Sequence, residues 1–82
     1  MQDHIRYIQI ERIRPNLRLS YPEAVIEHMC SSIGSWDKFP PIAVFFDGEY
    51  FRIIDGEKRW RACKKMGWPY VEAVIEESYS SP

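Results

Sequence analysis

The run Asp55-Gly56-Glu57-Lys58-Arg59-Trp60-Arg61 sets a turn dipeptide directly before a helical segment, and five of the chain's eleven Lys and Arg residues fall between Lys58 and Lys65. A helix that starts at such a turn has backbone N–H groups without partners, and those donors act with the helix dipole to favour an anion. Gly56 lets a ligand approach the backbone closely and permits a positive φ. Arg59, in the first turn, carries a planar fork that matches two phosphate oxygens, and Lys58 adds a point charge. Arg61, and Arg18 from a loop earlier in the chain, extend the candidate cation set. Asp55 is a candidate base or hydroxyl-orienting group. The chemistry these residues suit is phosphate binding. The competing reading is ordinary surface: Asp55 as a helix N-cap, Glu57 paired with Arg61 at i,i+4, and Lys64 and Lys65 complementing the helix C-terminus.

The elements that must position this run can be read from pattern. A helix over about 57–66 ends at Gly67, and Trp68-Pro69 breaks the chain. Ahead of the box, the apolar runs 42–46 and 49–54 flank Asp47-Gly48, a strong hairpin signal. A last strand is predicted over 70–76, with Val71, Ala73 and Ile75 on one face. Near the N-terminus, the alternation of Ile8 and Ile10 after His4 predicts a strand over about 7–13, followed by a loop bearing Arg12, Arg14 and Arg18. The first helix spans about 22–33. It is capped by Ser20 or Tyr21 and closed by Gly34, with Val25, Met29 and Ile33 forming its apolar stripe beside Ile26 and Cys30. His28 falls on the opposite side. Trp36 and Phe39, in the loop 35–41, either cap the core or wall a ligand's flat ring.

Eighty-two residues make one small domain, 1–82, with its core at about 7–76. The hydrophobic content of 45%, with three Trp, five Tyr and four Phe, excludes disorder. A net charge of −1 argues against a broad DNA-binding face and for a local anion site. Cys30 and Cys63 form no C-x-x-C pair and read as reduced packing residues, and no Asp/His/Cys spacing suggests a metal site. No apolar run reaches 18 residues and no signal peptide is present, so the expectation is a soluble cytoplasmic protein without a membrane partner.

Asp55-Gly56-Glu57-Lys58-Arg59-Trp60-Arg61-Ala62 closely resembles the G-E-R-R-x-R-A box of the ParB N-terminal (ParB-like nuclease) domain, in the ParB/sulfiredoxin superfamily. Ile13-Arg14-Pro15-Asn16 resembles that family's I-x-P-N opening, Ser32-Ile33 the end of its first helix, Pro41-Ile42-Ala43-Val44 its P-I-x-V strand, and Trp68 to Ile75 its closing strand. The resemblance implies an α+β fold, with a small mixed sheet (strands about 7–13, 42–46, 49–54 and 70–76) and helices at about 22–33 and 57–66. It implies phosphate contacts by Gly56, Glu57, Lys58 and Arg59, a nucleoside triphosphate (CTP or ATP, with Mg2+ an option) as cofactor, and a role in DNA partition or transcription regulation.

The pattern departs from the family in places. Glu57 stands where sulfiredoxin carries its catalytic cysteine, and Cys63 lies too far along the helix to replace it. Asp37 and Pro40 stand where ParB usually has glycine and glutamine. The family's helix-turn-helix lies beyond the matched stretch, so DNA contact is expected through a partner or further domains, with a homodimer one allowed assembly. Three functions compete: a nucleotide-binding module, a small nucleotide-dependent phosphotransferase resembling free-serine kinase, and a nucleotide-free interaction module. Triphosphate hydrolysis stays open, whereas nuclease and sulfiredoxin chemistry have no carrier.

Overall fold

Short runs with alternate apolar residues assemble into a mixed sheet. The structure, a computed structural model, describes residues 5–16 and 20–77; His4 and Arg18 lie outside the described residues. Strands β1 (Ile5–Gln9), β2 (Ile13–Arg14), β3 (Ile42–Phe46), β4 (Phe51–Asp55) and β5 (Tyr70–Ile75) accompany helices α1 (Glu23–Gly34) and α2 (Glu57–Lys65). The sheet order is β1-β5-β3-β4-β2. β1 and β4 run antiparallel to their neighbours β5 and β3, while β3–β5 and β2–β4 are parallel. This is the expected α+β class, with the hairpin and both helices in place.

The predicted strand over 7–13 is interrupted. Ile10–Arg12 forms a 3-10 turn, so Ile10 is buried by that turn rather than by strand alternation. The turn carries the chain from one edge of the sheet to the other: β1 pairs with β5, and three residues later β2 pairs with β4. Two edges so close in sequence require the sheet to curl. Two bonds hold the turn: Ile10 N–H donates to the Pro69 carbonyl (2.9 Å), and the Trp60 indole N–H donates to the Ile10 carbonyl (3.3 Å).

Ile42, Val44, Ile53, Val71 and Ala73 line the inner sheet face and pack with Ile26 and Ile33 of α1 and Trp60, Ala62 and Cys63 of α2. Ile13, Ile42, Val44, Ala62, Cys63 and Ala73 have no exposed surface. Each fully buried aliphatic side chain contributes about 1.5–3 kcal/mol over leaving it in water.

α1 differs from its expected form in detail. Its buried face centres on Ile26 and Ile33, with Met29 and Cys30 packed alongside, while Val25 is exposed. Val25 lies one position, about 100° of helical rotation, ahead of Ile26 and faces outward. The N-cap is Pro22, not Ser20 or Tyr21, and its carbonyl accepts the Val25 N–H at 3.0 Å. Gly34 ends the helix in ordinary geometry and Ser35 caps it, its hydroxyl donating to the Ser32 carbonyl (2.9 Å). His28 is exposed, as expected.

β4 starts at Phe51 rather than Glu49, which leaves a four-residue loop, Asp47–Tyr50. Asp47 explains the longer turn. One carboxylate oxygen accepts the N–H groups of Glu49 (2.8 Å) and Tyr50 (2.7 Å), and the other accepts the Arg52 Nε–H (2.6 Å). These donors favour the carboxylate form and hold its pKa down at about 2. At the far end of α2, Gly67 (φ 80°) completes the glycine stop: Trp68 N–H donates to the Cys63 carbonyl and Gly67 N–H to the Lys64 carbonyl, a Schellman motif. Trp36, Phe39 and Trp68 stack in sequence, at 6.2 and 5.6 Å between ring centroids, and pack against the core.

Candidate phosphate-binding site

The strand-to-helix junction is set by one residue without a side chain. Asp55 closes β4, so the N-cap of α2 is Gly56 rather than Asp55. Gly56 adopts φ 101°, ψ 24°, a left-handed conformation that costs an L-residue roughly 1–2 kcal/mol. A Cβ there would stand 2.7 Å from Ile42 Cγ2, so the turn presses directly onto the core. The Gly56 carbonyl accepts the Trp60 N–H at 3.0 Å and starts the helical ladder. The N–H groups of Glu57, Lys58 and Arg59 precede that ladder and have no acceptor within the helix.

These donors border a depression of about 280 Å³ lined by Tyr21, Met29, Ile53, Ile54 and the run Asp55–Arg59. The fold therefore brings together Asp55, Gly56, Glu57, Lys58 and Arg59. Arg61 sits one turn along, lining a separate groove of about 790 Å³ with Trp60, Lys64, Lys65, Arg14 and Glu23. Tyr21 borders both hollows, with Lys58 6.0 Å and Arg61 5.5 Å from its ring centroid.

The side chains differ in how they are occupied. Glu57 is the one buried charged residue among those described, and its carboxylate accepts from Arg61 Nε (2.8 Å) and Nη2 (2.6 Å). Its negative charge is thereby matched, and what it offers the depression is its backbone N–H. The Arg59 guanidinium donates to the carbonyls of Pro40 and Pro41 and lies 3.8 Å from the Asp55 carboxylate. It ties the 35–41 loop to the helix start. Lys58 is exposed and makes no ion pair among the described residues. Asp55 is 82% exposed at the mouth of the depression.

Cys63 is buried and its thiol is pushed up to about 12, chiefly by desolvation, which keeps it neutral. No three His, Cys, Asp or Glu side chains among the described residues gather as a metal site, and no helix among them is long and apolar enough to cross a membrane.

Tyr21, Met29, Ile53 and Ile54 line the depression, and Ile42 supports it from below, although the sequence singles out none of them as site residues. Tyr21 carries only the weak signal of an aromatic directly before a helix-starting proline. Ile42 supports Gly56 through a contact between residues far apart in the chain.

The family of the ParB N-terminal domain matches this chain over residues 1–81. The chain belongs to that family. Within it, this ParB N-terminal domain is 36% identical over 80 residues to the nucleoid occlusion protein of Geobacillus sp. (strain WCH70), a match that covers 92% of this chain and 28% of that protein. The chain thus spans little more than a quarter of such relatives.

Among solved structures, ParB from Caulobacter crescentus complexed with CTP-gamma-S aligns with a TM-score of 0.79 and 26% identity, over 94% of this chain and 46% of that one. Sulfiredoxin from Arabidopsis thaliana (TM-score 0.76, 23% identity, 92% and 86% covered) shares the fold. So does a free serine kinase in complex with AMP (TM-score 0.79, 21% identity, 99% and 34% covered). The ParB N-terminal domain described here is thus related to proteins of chromosome partitioning and nucleoid occlusion.

Proposed function

We propose that this ParB N-terminal domain binds the polyphosphate of a nucleoside triphosphate at the start of α2, as the sensing part of a cytoplasmic, DNA-associated protein. The observation that carries the reading is the junction at Gly56. Its left-handed turn starts a helix whose first three N–H groups lack a helical acceptor, on residues that line a depression with the exposed Lys58. Such donors, with the helix dipole behind them, suit an oxyanion. The ParB structure holding a CTP analogue supports the choice of a nucleoside triphosphate.

In this reading Gly56 gives close approach, and Glu57, Lys58 and Arg59 contribute N–H groups. Lys58 adds an exposed cation, Arg59 braces the 40–41 backbone beside the ligand, and Arg18 is a further candidate phosphate contact. Arg61 acts through Glu57, keeping that carboxylate away from the phosphates. Mg2+ carried in by the triphosphate would find Asp55 as the exposed carboxylate in the lining of the depression, in keeping with that ion's habit of bridging phosphates and few side chains. The partners proposed are the nucleotide and, through other domains or a second copy, DNA.

Calorimetry with CTP, ATP and ADP, each with Mg2+, tests the reading. Saturable binding to at least one of the three is expected, weakened about tenfold in Lys58→Ala, as loss of one charge-assisted contact predicts. Absence of heat with all three, from protein shown to be folded by circular dichroism, would sink the proposal.

A further inference from the structure

Cations sit over aromatic rings throughout this domain: Arg12 over Phe51, Arg14 over Tyr50, Lys58 and Arg61 over Tyr21, and Lys64 over Trp60, all within 6.0 Å of the ring centroid. One group of rings has no such neighbour among the described residues. Tyr7, Phe39, Trp68 and Tyr70 line a hollow of about 440 Å³ built from β1, β5 and the loops flanking α2 and β3, and among the described residues Glu72 is the one charged group in its lining. Tyr7 is 71% and Tyr70 49% exposed, a large aromatic area for a small domain to leave in water. Phe39 and Trp68 are braced by their mutual stacking and by Trp36 behind Phe39, so the wall is pre-formed.

We propose that this hollow is a docking site for an arginine side chain presented by a partner protein. Three features select that occupant. Aromatic faces attract a cation through the ring quadrupole, and a planar guanidinium also stacks on them. The Glu72 carboxylate supplies the counter-charge at the rim. It is held in place by the Tyr7 hydroxyl, which donates to one oxygen at 2.9 Å, and a carboxylate has a second oxygen with which to accept from a guanidinium. No Lys or Arg among the described residues lines the hollow to compete for it. The adjoining strand β1 is an edge of the sheet, paired on one side to β5, so an extended segment carrying the arginine has backbone donors and acceptors alongside to pair with.

The site is independent of the phosphate-binding reading: it is built from other residues and selects the opposite charge. Titration of the 15N-labelled chain with the peptide acetyl-Gly-Arg-Gly-amide is expected to move the amides of Tyr7, Phe39 and 68–72 in a saturable manner. Replacing arginine by citrulline keeps the shape and removes the charge, and is expected to weaken binding at least tenfold. Glu72→Gln and the surface substitution Tyr70→Ser should each weaken it by a similar factor while leaving the rest of the spectrum in place. Equal binding of the citrulline peptide, shifts centred on α2, or no effect of Glu72→Gln would overturn the assignment.

Discussion

A methyl group at position 56 would meet Ile42 Cγ2 at 2.7 Å and the Arg59 guanidinium at 3.1 Å, on a backbone that already disfavours any side chain. Gly56→Ala is therefore expected to lose roughly 1–2 kcal/mol from the left-handed conformation alone, and more from the contact with Ile42, read as a lowered midpoint in urea unfolding. Glu57 and Arg61 form a second residue-level test. Arg61→Ala leaves a buried carboxylate without its strongest partner and should destabilise by about 1–3 kcal/mol. Adding Glu57→Gln should recover part of that loss, because the neutral amide needs no counter-charge. A double mutant no more stable than Arg61→Ala would show that the pair does not carry the effect. The i,i+4 spacing of Glu57 and Arg61 made their pairing legible in the sequence. Their burial was not, since a charged residue in a basic helix gives no sign of facing inward.

Side-chain and backbone bonds at the ends of elements set where they stop. The Asp47 carboxylate organises the β3–β4 loop, and its pKa falls from the ordinary 3.8 to about 2 through the Glu49, Tyr50 and Arg52 donors. A group whose pKa is lower folded than unfolded stabilises the fold above the unfolded value, and loses that contribution as pH falls through the folded one. The thermal midpoint is expected to drop between pH 4 and 2, with a shallower drop in Asp47→Asn. An identical acid profile in the variant would place the titration elsewhere. At the end of α2, Gly67→Ala should cost about 1 kcal/mol by opposing the positive φ of the Schellman motif.

The hairpin, both helices and the last strand were legible because Asp-Gly, Pro, Gly and apolar spacing act within a few residues. The break at Ile10–Arg12 was not. An Ile-rich alternation reads as one strand, and only the Pro69 carbonyl and the Trp60 indole, both distant in sequence, draw Ile10 into a turn.

At the scale of the whole molecule, a chain of 82 residues with a Cα radius of gyration of 12.6 Å has a thin core, so each buried aliphatic group matters. Ile13 lies on the short strand that closes the curl and is fully buried. Ile13→Ala should cost about 2–5 kcal/mol, a large share of a small domain's stability, and appear as a steep loss of cooperative unfolding signal at 37 °C. A variant that kept its thermal midpoint would mean that β2 is dispensable to the core.

The sequence by itself determined the helices, the hairpin, the glycine junction and the family, because each is written in local spacing or in an ordered series of short motifs. Tertiary structure alone decided which cations border the depression and which are held by other groups of the fold. Arg59 is drawn to the Pro40 and Pro41 carbonyls and Arg61 to Glu57, while Lys58 stays on the rim. It also decided that Tyr7 and Tyr70, from strands at opposite ends of the chain, face one hollow with Phe39 and Trp68. A side chain's partners depend on which distant backbone the curl of the sheet brings beside it, and no spacing along the chain encodes that distance.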